Sequence, residues 1–113
     1  MTSTQAQIEV SYDVSNEFFK LWLDEDMHYT SASYLTGEET LEEAQRNKSR
    51  ILYEYAEIEP DKLVLDVGCG WGSNLNYLHQ RGVKRAHGIT LSTAQQEWTE
   101  SRGLPGIKAI VCD

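Results

Sequence analysis

The chain has 113 residues, 40% of them hydrophobic, a composition typical of one small globular domain rather than of a disordered segment. Its formal net charge of −8 argues against a surface for nucleic-acid phosphates, because neutralising phosphates requires lysine and arginine. No apolar run approaches the ~20 residues that span a bilayer, and the N-terminus lacks a signal-peptide pattern, so we expect a cytoplasmic protein.

The charged, cysteine and histidine residues indicate no metal site. Acidic residues cluster at 24–26 and 38–43, and both clusters are interpreted as solvated surface. No spacing typical of metal ligands is formed by the cysteines and histidines, which are Cys69, Cys112, His28, His79 and His87. We expect both cysteines to be reduced and structural; a disulfide or a metal site is the remote alternative.

The run SNEFFKLWLD predicts a short amphipathic helix. Phe18, Leu21 and Trp22 fall on one helical face, where Phe18 and Trp22 are expected to pack, and Ser15 is a candidate N-cap. The hydroxyl-rich run MHYTSASYLTG follows and predicts an irregular segment that ends at Gly37.

A second helix is predicted to begin at Thr40, because TLEE offers Glu43 as the partner of a capping box. Glu42 lies one turn before Arg46, a spacing that favours an ion pair. The predicted apolar stripe of this helix consists of Leu41, Ala44, Ile51, Leu52 and Tyr55.

The periodicity then changes to that of alternating strands and helices. KLVLDV predicts a strand buried on both faces, SNLNYLHQRG a helix ending at Gly82, and KRAHGIT a second strand. STAQQEWTESRG predicts a helix capped by Ser92, with Gln95 in the capping-box position, and IKAIVC predicts a third strand. This order predicts an α/β fold with a parallel sheet. Because the third strand ends near Asp113, we expect the chain to be the N-terminal portion of a larger domain.

The stretch LVLDVGCGWGSN predicts a ligand-binding turn between the first strand and the next helix. Glycines at 68, 70 and 72 let the backbone approach a ligand, and N–H groups at the helix N-terminus then face it. The alternative is that these glycines only let the helix pack tightly against the strand.

The spacing of the glycines separates three cofactor classes. A nucleoside-triphosphate loop requires a lysine after the glycines, and none follows here. A dinucleotide turn requires a third glycine at position 73, where Ser73 stands, and an acid after the second strand, where GITLS has none. S-adenosylmethionine fits D-x-G-x-G-x-G, because Asp66 suits its ammonium group and free N–H groups suit its carboxylate. The alternative for Asp66 is a buried acid bonded only to loop amides.

Several stretches together resemble a known family. VLDVGCGWGS and GITLSTAQ, with YDVSNEFFKLWLDEDMHYTSASY and LEEAQRNK upstream, resemble the cyclopropane-fatty-acid synthase and mycolic acid cyclopropane synthase family of class I methyltransferases. The resemblance runs from about Tyr12 to Gln95. The glycine turn is shared by many methyltransferases, whereas the upstream stretch and T-L-S-x-x-Q are much more specific.

The resemblance implies a Rossmann-like class I methyltransferase fold with a parallel sheet flanked by helices. Residues 1–57 would form an N-terminal helical lid, and residues 58–113 the first β-α-β-α-β part of the S-adenosylmethionine domain. Gln95 would contact the cofactor or, alternatively, only cap its helix. The cofactor-binding residues predicted from the turn and the resemblance are Tyr29, Thr30, Asp66, Gly68, Cys69, Gly70, Gly72, Thr90, Leu91, Gln95 and Asp113.

Aromatic and hydroxyl groups of the lid are candidates for positions near the transferred methyl group, namely Tyr29, Ser31 and Tyr34. In the family's cyclopropane synthases, a cysteine after a Tyr-Ser pair helps to hold a bicarbonate base through its backbone. Here Thr30 and Ser31 occupy the Ser and Cys positions. Backbone donation survives this change, so bicarbonate stays an open alternative while cyclopropanation itself does not follow.

The expected function is S-adenosylmethionine-dependent methylation of an alkene carbon in a lipid-like, isoprenoid or other small-molecule acceptor. Methylation of a small amine is one alternative. The others are a dinucleotide-dependent oxidoreductase and a non-catalytic module with a methyltransferase-like fold. No nucleic-acid partner and no transmembrane segment are predicted, and a homo-oligomer is left open.

Overall fold

The structure is a computed structural model that describes residues 4, 6–7 and 16–113. Tyr12 and Ser15, the start of the family resemblance and the predicted N-cap, lie outside the described residues. From residue 16 onward, the helices and strands in chain order are α1 (Asn16–Lys20), α2 (Leu41–Tyr55), β1 (Leu63–Val67), α3 (Ser73–Gln80), β2 (Arg85–Thr90), α4 (Thr93–Ser101) and β3 (Ile107–Val111).

The three strands form one parallel sheet in the order β1-β2-β3. Asp66 of β1 pairs with Gly88 of β2, and Gly88 in turn pairs with Ala109 of β3. The predicted alternation of strands and helices and the parallel sheet are therefore confirmed. The carboxyl ends of β1 and β2 lie side by side, as expected for a binding edge in such a sheet.

The core lies between the sheet and α3. Leu75 and Leu78 of α3 are fully buried and pack with Val83, Ala86 and Ile107. Burying a leucine side chain contributes roughly 1.5–3 kcal/mol. This cluster holds α3, and with it the preceding turn, against the sheet.

The prediction that the first strand is buried on both faces is wrong for the described residues. Leu65 and Val67 of β1 are 61% and 72% exposed, and Leu63 is also exposed. These side chains point to one face because residues two apart share a face of a strand. β1 is an edge strand of this sheet, and no described helix packs extensively against it, so this face stays uncovered.

The apolar stripe predicted for the first helix is also wrong. Helix α1 has only five residues, and its buried aromatic side chain is Phe19. Leu21 is 81% exposed, and Phe18 and Trp22 are about half exposed. Because α1 ends at Lys20, the helical period does not extend to residues 21 and 22.

Helix α2 begins as predicted but buries a different face. Thr40 Oγ1 accepts from Glu43 N–H at 3.2 Å and Glu43 Oε2 accepts from Thr40 N–H at 3.0 Å, which confirms the capping box. The buried residues are Ala44, Gln45 and Ser49. Of the predicted stripe, Leu41, Leu52 and Tyr55 are exposed, because the polar face packs instead against residues 24–33, named here the lid segment.

The predicted ion pair within α2 is replaced by a tertiary one. Arg46 donates to Glu25 Oε1 at 2.6 Å rather than pairing with Glu42. The interaction joins α2 to the segment before it.

Among the helices of the described part of the chain, none has the length and apolar character to cross a bilayer.

Candidate functional site

Two glycines of the turn after β1 border open space. Gly68 and Gly70 have φ of 75° and 56°, a backbone region that favours glycine. A Cβ placed on either residue would meet no heavy atom within 4 Å. The backbone is therefore exposed to a ligand at these two positions, as the sequence predicts.

The third glycine of the motif has a packing role instead. A Cβ on Gly72 would lie 2.5 Å from Cγ2 and 2.7 Å from Oγ1 of Thr99 in α4. Gly72 is buried, and it does not line the cavities beside the turn. Gly72 thus permits the close approach of α4, and its contact with the cofactor stays a prediction.

The amide groups of the turn are only partly available to a ligand. Gly68 N–H and Cys69 N–H both donate to the Ile89 carbonyl, at 2.9 and 3.0 Å. The expectation of free N–H groups is wrong for these two residues, because the turn is tied to the end of β2. Gly70 N–H has no acceptor among the described residues.

Asp66 projects from β1 beside this turn. The long contact from Asn74 Nδ2 to its Oδ2, at 3.5 Å, comes from a side chain rather than from a loop amide. The alternative of a carboxylate bonded only to the amides of the turn is therefore wrong. Burial raises the pKa of the Asp66 carboxyl group, and the Asn74 contact opposes the rise. A cation placed here would relieve the desolvation.

Two adjoining cavities flank the turn. The first, of about 170 Å³, is named here the Asp66 cavity; Asp66, Lys48 and Trp71 are among its lining residues. The second, of about 340 Å³, is named the Thr90 cavity and is lined by Tyr29, Thr30, Gly68, Gly70, Thr90, Leu91 and Gln95. Tyr29, Thr30, Gly68 and Gly70 line both cavities, so one elongated ligand can occupy the two.

The structure thus brings most of the predicted cofactor residues together and leaves others outside. Cys69 lines the Asp66 cavity together with Asp66. Ser31, Tyr34 and Asp113 are exposed and line neither cavity. Asp113 follows β3, where Cys112 N–H donates to the Thr90 carbonyl at 3.0 Å.

The end of β2 carries a buried hydrogen-bond network. Thr90 Oγ1 donates to Gln95 Oε1 at 2.7 Å and accepts from Ser92 N–H at 3.2 Å. Ser92 Oγ accepts from Gln95 N–H at 3.2 Å, which confirms the predicted N-cap of α4. The predicted return bond from the Gln95 side chain to Ser92 is replaced by the Thr90 hydroxyl, because Thr90 lies close enough to bond both residues.

Aromatic rings close the side of the Asp66 cavity. Tyr29 stands in ring contact with Phe19 at 6.0 Å and with Trp71 at 6.2 Å between centroids. Trp71 is almost fully buried, and its Nε1–H donates to Asn16 Oδ1 at 2.9 Å. Trp71 was not among the predicted site residues. Its position inside the glycine motif is a signal that could have indicated it.

A buried polar chain holds the lid segment against α2. Asp24, only 3% exposed, accepts from His28 N–H at 2.7 Å and lies 2.8 Å from His28 Nδ1. His28 Nε2 lies 3.3 Å from Ser49 Oγ. The interpretation of the 24–26 cluster as solvated surface is therefore wrong for Asp24. These hydrogen bonds fix the segment that contains Tyr29 and Thr30. No local sequence pattern indicated them.

Lys48 is a second site residue that the sequence analysis missed. Its Nζ donates to Thr30 Oγ1 at 2.7 Å and to the Thr30 carbonyl at 3.2 Å. Burial lowers the pKa of the Lys48 ammonium group, whereas the charge of Asp24 raises it. Lys48 is thus a half-buried donor at the rim of the Asp66 cavity.

Cys69 is poorly suited to nucleophilic chemistry. It is 5% exposed, and burial, with the nearby Asp66 charge, raises the pKa of its thiol to about 12. The thiolate is the reactive form of cysteine, so this thiol stays protonated at neutral pH. No cluster of three or more histidine, cysteine or acidic side chains suited to a metal is found among the residues described.

Comparison with known proteins agrees with this geometry. The family model for mycolic acid cyclopropane synthetase matches residues 1–104. The chain belongs to this family. A probable fatty acid methyltransferase of Mycobacterium tuberculosis is 43% identical over 103 residues, which cover 88% of this chain and 24% of that protein.

Solved structures share the fold as well. The crystal structure of mycolic acid cyclopropane synthase CmaA1, complexed with SAH and CTAB, superposes with a TM-score of 0.91 at 27% identity. The match covers 99% of this chain and 41% of that one. Coclaurine N-methyltransferase, bound to N-methylheliamine and SAH, gives a TM-score of 0.83 at 26% identity over 88% of this chain and 31% of its own. The fold is that of the Rossmann-like methyltransferases, and this chain spans about a quarter of the curated relative's length.

Proposed function

We propose that the polypeptide is an S-adenosylmethionine-dependent methyltransferase that methylates carbon in a lipid-like acceptor. The observation that carries the proposal is the turn in which Gly68 and Gly70 border open space beside Asp66. Family membership supports it, as do the relative described as a fatty acid methyltransferase and the SAH in the CmaA1 crystal structure.

The residues beside the turn fit the chemical groups of this cofactor. The Thr90 cavity offers the Gln95 amide and the Leu91 side chain to an adenosine moiety. The Asp66 carboxylate offers a partner to an ammonium group, and Gly70 N–H offers a donor. The dinucleotide alternative lacks support because no acid follows β2 to hold a ribose.

The bound cofactor would supply an activated methyl group, and this chain's residues would align it and exclude water. Tyr29 lines both cavities and lies in ring contact with Trp71, which lines the Asp66 cavity, and aromatic faces attract a cationic group. Catalysis by alignment needs a well-held lid segment, and the bonds that Asp24 accepts from His28 support one. Three points stay predictions. They are a bicarbonate base held by Ser31, a contact of Asp113 with the cofactor, and the division of the chain at residue 57.

Methylation of a small amine is the second candidate. The superposition on coclaurine N-methyltransferase at 26% identity favours it, because that protein uses the same fold with a nitrogen acceptor. The two candidates differ in the acceptor and share the cofactor site.

The cytoplasmic location and a homo-oligomer stay predictions.

The test is ligand binding followed by acceptor turnover in the full-length polypeptide. Native mass spectrometry with S-adenosylhomocysteine is expected to show one bound ligand per chain, and excess NADH is not expected to displace it. NADH binding that survives excess S-adenosylhomocysteine would favour the oxidoreductase. Absence of binding to either ligand would favour the non-catalytic module.

The acceptor is tested with a methyl-labelled donor. Label is expected in unsaturated phospholipid rather than in a small tertiary or secondary amine offered in the same reaction. Label in the amine alone would show that the acceptor is nitrogen rather than carbon. The cofactor assignment would then stand unchanged.

A further inference from the structure

Lys48 and Asp66 are opposite charges that line the same cavity. Neither forms an ion pair within 4.0 Å with a described residue. We propose that Lys48 binds the carboxylate of the cofactor's amino-acid end, while Asp66 receives the ammonium group of the same moiety. The inference rests on the proposed function and adds a specificity-determining residue to its site.

The donor geometry of Lys48 leaves room for an anion. An ammonium group has three N–H donors. Two are directed to the hydroxyl and carbonyl oxygens of Thr30, at 2.7 and 3.2 Å. The third has no acceptor among the described residues, and Lys48 is half-buried where it lines the cavity, with no carboxylate of a described residue within ion-pair distance.

Asp66, in turn, has acceptor positions that the described residues leave without donors. An ionised carboxylate offers about four acceptor positions, and the described residues supply only the 3.5 Å contact from Asn74. Because burial disfavours its charged form, a bound ammonium group would be stabilised more strongly here than at an open surface.

The space between the two charges suits an amino acid with an apolar side chain. The Asp66 cavity has a volume of about 170 Å³, and buried Met27 and Trp71 contribute apolar wall to it. It continues past Gly68 and Gly70 into the Thr90 cavity. A zwitterionic head in the first cavity is thereby joined to a nucleoside in the second.

The competing explanation is that Lys48 only braces Thr30. Thr30 lines both cavities, so a weakened brace would disturb every adenosyl ligand. A direct contact with the carboxylate would affect only ligands that carry a carboxylate. The two roles are therefore separable by the choice of ligand.

The experiment is calorimetric titration of the full-length polypeptide with S-adenosylhomocysteine and with 5′-methylthioadenosine, which lacks the amino-acid end. We expect Lys48→Met to weaken S-adenosylhomocysteine binding by roughly tenfold to a hundredfold, the range for a hydrogen bond to a charged group. Binding of 5′-methylthioadenosine is expected to be unchanged. Lys48→Arg, which keeps the charge, is expected to retain most of the affinity.

Lys108→Met is the matched control, because Lys108 is exposed on β3 and lines neither cavity. If Lys48→Met weakens the binding of both ligands equally, the proposal is overturned and Lys48 only braces Thr30. An effect no larger than that of Lys108→Met would overturn it as well. Failure of the unmodified protein to bind either ligand would instead remove the proposed function, and this inference with it.

A ligand-side measurement keeps the test independent of the folding of the variant. S-adenosylhomocysteine lacking its carboxylate is expected to bind the unmodified protein as weakly as the parent ligand binds Lys48→Met. Equal affinity of the unmodified protein for the two ligands would show that no residue recognises the carboxylate, and the proposal would fail.

Discussion

The Thr90 hydroxyl donates to Oε1 of Gln95 at 2.7 Å, at the point where β2 ends and α4 begins. The same hydroxyl oxygen accepts from Ser92 N–H. All three residues are buried, so the hydroxyl group satisfies two polar groups that water reaches poorly. It also orients the Gln95 side chain, whose Nε2 group has no acceptor among the described residues and is left for a ligand of the Thr90 cavity.

Thr90→Val removes this hydroxyl group while keeping the shape of the side chain. We expect the free energy of unfolding to fall by about 1–3 kcal/mol, because Ser92 N–H and Gln95 Oε1 lose their partner. Binding of S-adenosylhomocysteine is expected to weaken as well. Urea denaturation and calorimetry measure the two effects. Thr93→Val is the control, since Thr93 is exposed at the start of the same helix; equal effects of both changes would contradict the role of Thr90.

Gly70→Leu is expected to abolish detectable binding of S-adenosylhomocysteine, because its side chain would enter the open space beside the turn. A leucine at positive φ also costs roughly 1–2 kcal/mol of stability. Gly37→Leu controls for that strain, because Gly37 has φ of 85°, faces open space and lies outside both cavities. Unchanged affinity in Gly70→Leu would count against the assigned turn.

Asp66→Asn is expected to raise stability and lower cofactor affinity at neutral pH. Burial raises the pKa of Asp66 above its ordinary value of 3.8, so the folded state binds the proton more readily than the unfolded chain. The ionised carboxylate therefore opposes folding above its folded-state pKa, and this penalty is lost as the pH falls through that pKa.

Unfolding by urea at several pH values, with and without S-adenosylhomocysteine, measures both effects of Asp66→Asn. The stability gain should shrink toward acid pH, and binding should weaken by roughly tenfold. Asp61→Asn, at an exposed position before β1, is the control. A variant that is less stable than the unmodified protein at neutral pH would refute the prediction.

Glu39 is expected to make the loop before α2 sensitive to acid. Its carboxylate accepts N–H groups from Leu35, Thr36 and Gly37 at 2.7, 2.9 and 3.0 Å. These bonds, that from Thr36 foremost, lower the pKa of Glu39 from 4.5 to about 2. A lowered pKa means that the stabilisation is present above 4.5 and is lost as the pH falls toward 2.

Hydrogen exchange of the three amides measures this effect. Glu39→Gln should reduce their protection above pH 4.5, and the difference from the unmodified protein should vanish as the pH approaches 2. Glu38→Gln, a neighbouring change at an exposed residue, should leave protection unchanged. A difference that persists unchanged at the lowest pH would show that the charge of Glu39 is irrelevant.

Cys69 is expected to resist alkylation in the folded protein. With a thiol pKa of about 12, only about one molecule in ten thousand is a thiolate at pH 8, and the side chain is buried. Cys112 is exposed and free, so iodoacetamide should modify it first. Peptide mass mapping distinguishes the two cysteines, and denatured protein, in which both should react, is the control. Rapid native labelling of Cys69 would contradict the burial.

The helix caps that depend on residues close in sequence were predicted correctly, whereas the ion pair of Glu42 with Arg46 was not. The capping box of Thr40 and Glu43 and the N-cap Ser92 involve residues three positions apart, so a short stretch contains all of the interacting groups. The change from helical to strand periodicity likewise identified β1, α3, β2, α4 and β3 in order. The glycine spacing further predicted the turn in which Gly68 and Gly70 border open space.

Only the tertiary structure decided which groups of that turn are available. Gly72 lies against Thr99, and Ile89 takes the amides of Gly68 and Cys69, because the packing of α4 and β2 brings together residues distant in sequence. The same holds for Lys48, which reaches Thr30 from a helix that begins eleven residues later. Local periodicity could not reveal these contacts, since each depends on how two elements pack and not on either element alone.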